Sequence, residues 1–171
     1  MLNQKQKIIA IDPGYDRCGV AIVEENAGKP VVVFSICVTS QKKDEQYLRL
    51  ASIFKELENI IKEHSPTHMA IETLFFSVNK KTAIKVAEAR GAILALAGIK
   101  NLGVVELSPQ AIKISMTGSG NATKEQVEKM VRLTVKLPTK VKLDDEIDAI
   151  ALGVASLQTL HLENMKKGLA K

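Results

Sequence analysis

The chain has 171 residues, 46% of them hydrophobic, enough for one domain that buries about 70% of its unfolded surface and too few for two full ones. Twenty-four Lys and Arg against nineteen Asp and Glu leave a formal charge of +5, which favours polyanionic partners without naming one. The longest apolar runs, Ala92 to Ile99 and Ala149 to Leu157, fall short of the roughly 20 residues a membrane-spanning helix needs, so no membrane partner is expected. The polar, lysine-bearing start lacks a signal-peptide core, and the chain is read as cytoplasmic.

No repeat or proline-rich linker divides the sequence, so residues 1–171 are read as one domain, with a basic tail from about residue 161. Ile8-Ile9-Ala10-Ile11 is a continuous apolar run ended by Asp12-Pro13-Gly14, the pattern of a central strand entering a tight loop. Two β-rich runs follow, Cys18 to Glu25 and Pro30 to Val38, joined by the turn-forming Asn26-Ala27-Gly28-Lys29. That hairpin is expected to face the sulfurs of Cys18 and Cys37 toward each other. With no C-x-x-C spacing, reduced thiols are expected rather than a disulfide framework or a thiol zinc site.

From Asp44 to His64 the positions Tyr47, Leu50, Phe54, Leu57 and Ile61 recur at steps of three and four, predicting an amphipathic helix that Pro66 ends. His68 to Glu72 reads as another short buried strand finishing on an acid. Lys80 to Gly98 is an Ala-rich helix whose Ala87, Gly91 and Ala95 form a small-residue side suited to close packing or a subunit interface. Val104 to Leu107 predicts a fifth strand, and Ser108-Pro109 starts a short helix to about Met116. The loop Thr117-Gly118-Ser119-Gly120-Asn121 leads to Thr123-Lys124-Glu125-Gln126, a capping box opening a helix to about Lys136. A last amphipathic helix runs from Asp144 to about Leu160. Strands first and βα alternation afterwards predict an α/β fold, a mixed sheet with helices on its faces.

The chemistry is carried by acids. Asp12 and Glu72 each end an apolar strand, while Asp145 and Asp148, three apart, share one face of a helix. Each alone has an ordinary reading: Asp12 starts a turn, Glu72 is an edge residue, and the aspartates complement the positive end of the last helix. Gathered about 5 Å apart they repel by roughly 3 kcal/mol per pair at an effective dielectric near 20. Hard divalent cations relieve such repulsion, and an all-oxygen donor set points to Mg²⁺, with Mn²⁺ as a substitute, rather than Zn²⁺. Two such ions serve phosphodiester cleavage. His64, His68 and His161 share no ligand spacing, and Met116 and Met130 read as core fillers.

Ile11-Asp12-Pro13-Gly14, Ala70-Ile71-Glu72-x-x-Phe75, Asn79, Ala89-Arg90-Gly91, Gly118-x-Gly120-x-x-x-Lys124-x-Gln126-Val127 and Asp145-x-x-Asp148-Ala149 together resemble the RuvC family of Holliday junction resolvases. Their order and spacing match from Ile8 to about Leu160. The resemblance implies a ribonuclease H-like mixed five-stranded sheet flanked by helices, a homodimer, and Mg²⁺-dependent paired incisions of a four-way DNA junction. A branch-migration complex is the further partner to be expected. It also implies that Asp12, Glu72, Asp145 and Asp148 are the metal-binding acids, that Phe75 stacks on bases, and that Lys113 and Lys124 face phosphates. Asp144 precedes Asp145, so the ligand assignment is open to a slip of one residue. Lys80 and Lys81, on a basic helix beside such a cleft, are read as further phosphate contacts, although a solvated face is the usual meaning of such a run.

Two other readings stand beside this one. Asp12-Pro13-Gly14 with Arg17-x-Gly19-Val20-Ala21 is also similar to the YqgF family of ribonuclease H-like proteins, implicated in ribosomal RNA processing, though the later motifs fit it less well. In the third reading the acids are structural and the basic surface alone holds nucleic acid.

Overall fold

Four consecutive residues with no polar partner face demand cover on both sides, and Ile8, Ile9, Ala10 and Ile11 receive it: all are fully buried in the middle strand of a five-stranded sheet. The computed structural model describes residues 6–14, 16–73, 80–137 and 144–169. In chain order the strands are β1 (Lys7–Asp12), β2 (Arg17–Asn26), β3 (Lys29–Thr39), β4 (His68–Glu72) and β5 (Gly103–Leu107). The helices are α1 (Gln46–His64), α2 (Lys80–Ile99), α3 (Pro109–Thr117), α4 (Lys124–Thr134) and α5 (Asp144–Leu169).

The sheet order is β3-β2-β1-β4-β5, with the β1–β2 and β2–β3 pairs antiparallel and the β1–β4 and β4–β5 pairs parallel. This is the mixed, ribonuclease H-like arrangement that the resemblance implied. The β2–β3 turn places Ala27 and Gly28 at φ 51° and 75°, the two left-handed central residues of a type I′ hairpin. Alternation along the strands then builds two cores. Ile9, Ile11, Val20, Ile22, Met69 and Ile71 pack with Ile53 and Leu57 of α1 and Ile93 and Leu96 of α2. On the other face Ile8, Ala10, Ala21, Val23 and Ala70 pack against α5.

The structure corrects several expectations. Gly19, not Cys18, is the register partner of Cys37, and Cys18 pairs with Val38. Successive strand residues point to opposite faces, so the two sulfurs lie on opposite sides of the sheet and cannot bridge. On α1 the buried stripe is Arg49, Ile53, Leu57, Ile60 and Ile61, while Tyr47 is 68% exposed. The stripe was displaced because a polar residue occupies the inner face: Arg49 is buried against Asp16 and Ser40.

The last helix is not amphipathic along its centre. Residues 149–157 of α5 are buried on every side where it crosses the sheet, because α3 and α4 cover its outer surface. Beyond Leu160 the backbone continues as helix to Leu169, through the segment expected as a basic tail. The residues there favour helix and 161–166 stand in solvent. Met116 and Met130 do serve the core, one buried and one packed against it.

Candidate active site

Parallel pairing brings two of the acids side by side. Ile11 of β1 is in register with Ile71 of β4, so Asp12 and Glu72, the next residue of each strand, end adjacent strands at the same edge of the sheet. On its other side Asp12 is in register with Gly19 of β2. A Cβ at Gly19 would lie 1.9 Å from the backbone oxygen of Asp145, so glycine is what lets the first turn of α5 settle onto the strand next to Asp12. Asp145 and Asp148 are turned toward that edge, 22% and 35% exposed, whereas Asp144 is 79% exposed.

The acids feel one another. Burial first, and then the charges of Asp148 and Asp145, push the Asp12 carboxyl up from 3.8 to about 6, against the opposing pull of Lys124. Burial, followed by Asp12 and Asp148, pushes Glu72 up from 4.5 to about 7. Asp144 contributes to neither, which favours Asp145 as the inward member of the acidic run.

Cations and hydrogen-bond donors frame this cluster. Lys124 Nζ, on the first residue of α4, lies 2.8 Å from Asp148 Oδ2 and 3.7 Å from Asp144 Oδ2. It is presented there by a complete capping box, in which Thr123 and Gln126 each bond the other's backbone N–H. Arg17 Nε is 3.3 Å from Asp145 Oδ2, and the Cys37 thiol donates to the same oxygen at 3.7 Å. The buried Glu146 accepts from Ser35 Oγ at 2.8 Å, tying the first turn of α5 to β3. Arg90 donates through Nε to the backbone oxygen of Glu72 and pairs with Glu106, fastening the end of β4. The Arg49–Asp16 pair likewise anchors the loop that follows Asp12.

Sequence reasoning found the acids, Lys124 and its capping box, and missed the remaining contacts of this frame. Gly19 was detectable as a glycine inside a strand pattern, a mark of close backbone approach. Arg17, Arg49 and Glu146 carry no such signal, since their partners are remote in the chain. Lys113 is half-buried on α3 and, among the described residues, takes no part in the ion pairs around the acids. Lys80 and Lys81 begin α2, but their side chains lie outside the described residues, as does Phe75.

A divalent ion fits the donor set more than the present spacing. Among the described residues, no three acidic, histidine or cysteine side chains are gathered closely enough to hold an ion as they stand. The chemistry of the donors is nevertheless that of a hard cation: carboxylate oxygens whose mutual repulsion is offset, among the described residues, by Lys124 and Arg17. The nearby sulfurs do not compete as soft ligands, because burial and Asp145 push the Cys37 thiol up, and burial and then Asp12 push Cys18 up to about 12.

A mixed sheet of this order, with acids at the carboxyl ends of its two central parallel strands and on the helix lying over them, defines a nuclease of the ribonuclease H-like class. The profile described as "Crossover junction endodeoxyribonuclease RuvC" matches residues 8–156. Among curated relatives so named, that of Thermosipho melanesiensis is 40% identical over 146 residues, covering 85% of this chain and 93% of the relative. That of Carboxydothermus hydrogenoformans is 41% identical over 150 residues, covering 87% and 94%. The solved structure of Thermus thermophilus RuvC in complex with a Holliday junction substrate superposes with a TM-score of 0.85 at 25% identity, covering 92% of this chain and 96% of that one. The chain belongs to the RuvC family of crossover junction endodeoxyribonucleases. It is therefore a hydrolase of DNA recombination and repair, and the YqgF resemblance does not decide its family.

Proposed function

We propose that this protein resolves four-way DNA junctions in the cytoplasm by paired, symmetric phosphodiester hydrolysis, using Asp12, Glu72, Asp145 and Asp148 to hold Mg²⁺, or Mn²⁺ in its place. The observation that carries this reading is the delivery of four acids to one sheet edge by β1, β4 and α5, with two of them held well above the ordinary carboxylate range. Bound there, such ions supply an activated water and stabilise the leaving oxygen.

The chain's own residues do the rest. Gly19 and Ser35 seat the first turn of α5 so that Asp145 and Asp148 face Asp12. Lys124 lies close enough to the acids to offset their charge and is placed to meet a backbone phosphate at the same edge. Lys113, Lys80 and Lys81 extend the phosphate track, and Phe75 stacks on bases at the junction. Two symmetric cuts require two sites related by a two-fold axis, so the protein acts as a homodimer. The exposed Gly91, Ala95 and Gly98 of α2, with Ile84 and Ile99 also 64% exposed, form the face available for that pairing. A branch-migration complex is the partner that would bring it to junctions.

The test is incubation of the purified protein with a synthetic mobile four-way junction, with and without Mg²⁺. Symmetric nicked duplexes that appear only with the ion are the expected products. Cleavage of a structured RNA in preference to the junction, or binding with no cleavage under any Mg²⁺ or Mn²⁺ condition, would overturn the proposal.

A further inference from the structure

We propose that Arg17 is a second phosphate-binding cation of this cleft, set opposite Lys124 and aimed by Asp145; the inference rests on the junction-cleaving reading above. The two cations reach the acids from different elements, Lys124 from α4 onto Asp148 and Arg17 from the start of β2 onto Asp145. Arg17 forms an ion pair with Asp145, its Nε 3.3 Å from Oδ2 without an aligned hydrogen bond, and its side chain remains 56% exposed. Among the described residues it makes no other ion pair. A guanidinium has five N–H donors in a planar fork, so an ion pair through the Nε side leaves the Nη donors of this half-exposed side chain for a ligand. That fork matches two oxygens of one phosphodiester.

The contact also acts on Asp145. Arg17 and the Cys37 thiol both engage Oδ2, and no hydrogen bond or ion pair among the described residues engages Oδ1. With Oδ2 engaged by both groups, Oδ1 is the oxygen left without a partner among the described residues. Arg17 links the acid cluster to the DNA backbone: the same group that orients an acid binds the phosphate next to the one to be cut. A solvated surface arginine would do neither.

The experiment uses the full chain carrying Arg17→Gln or Arg17→Lys. Affinity for a four-way DNA junction is measured without divalent ion across a range of KCl concentrations, and single-turnover cleavage is measured with Mg²⁺. Loss of one phosphate contact lowers the slope of log affinity against log salt by about 0.9, and Arg17→Gln is expected to show that drop. Its cleavage rate should fall on the order of 10-fold or more at saturating protein, with an unchanged melting temperature. Arg17→Lys should restore the slope, and only part of the rate, because an ammonium cannot serve Asp145 and a phosphate as a fork does. Wild-type cleavage of the junction combined with an unchanged slope for Arg17→Gln overturns the Arg17 contact alone. A wild-type protein that leaves the junction uncut overturns the functional reading and this inference with it.

Discussion

Asp12 and Glu72 hold their protons more tightly in the folded chain than in the unfolded one, about 6 against 3.8 and about 7 against 4.5. Each therefore favours the fold most fully below the unfolded value, and this contribution is lost as pH rises through the folded value. The window is about pH 4 to 7, and the cost is on the order of 3 kcal/mol per group. In ion-free buffer Asp12→Asn should melt close to wild type near pH 4 and above it at pH 7.5. Saturating Mg²⁺ should narrow or reverse that gap, because the ion binds only the folded wild-type site. Thermal denaturation at both pH values, with and without the ion, checks this; equal melting temperatures at pH 7.5 without Mg²⁺ would contradict it. The same variant should lose cleavage by 10²-fold to 10³-fold or more while keeping junction affinity within a few-fold. Full cleavage by Asp12→Asn would remove Asp12 from the site. These acids were legible because a carboxylate ending an apolar strand is a local pattern, whereas the Arg17 and Cys37 contacts to Asp145 join residues more than a hundred positions apart.

Elements differ in how much of them could be read locally. β4 was anticipated to the residue, and the α4 capping box was visible because Thr123 and Gln126 lie three apart and bond each other. The buried side of α1 was misplaced because apolar spacing cannot reveal that Arg49 turns inward to pair with Asp16. Seating of α5 on β2 is a property of two elements at once, and Gly19 is where it can be tested. Gly19→Ala places a methyl group 1.9 Å from the Asp145 backbone oxygen, which only a shift of the helix start relieves. Expected losses are about 1–3 kcal/mol of stability and a larger proportional loss of cleavage, since Asp145 and Asp148 move together. A crystal structure or paired melting and cleavage assays would show it; cleavage at the wild-type rate would mean the first turn is not what positions the acids. At α4, Thr123→Ala should cost about 1 kcal/mol by urea denaturation and loosen Lys124, the next residue.

The whole molecule must place two copies of this cleft on opposed strands. Gly91 offers a clean probe, because an added Cβ there meets nothing within 4 Å in the single chain. Gly91→Glu should leave the fold intact, and even gain up to about 1 kcal/mol of helix propensity, while placing a charge on the face proposed for pairing. Light scattering should then report a monomer, and junction cleavage should give unpaired nicks; a dimer that still cuts both strands would move the interface elsewhere. No described helix is long and apolar enough to cross a membrane.

Local pattern alone determined much of this protein: the five strands, the hairpin, the helix start at Ser108-Pro109, the capping box, and the four acids worth watching. These are legible because strand alternation, turn residues and caps act over a few neighbours in the chain. The tertiary structure decided which acids share one sheet edge, that Cys18 and Cys37 part to opposite faces, that α5 is encircled by partners, and that Arg17 pairs with Asp145. All four depend on which strands pair and on where α5 returns to the sheet, and long-range packing makes those choices from contacts that no short window of sequence contains.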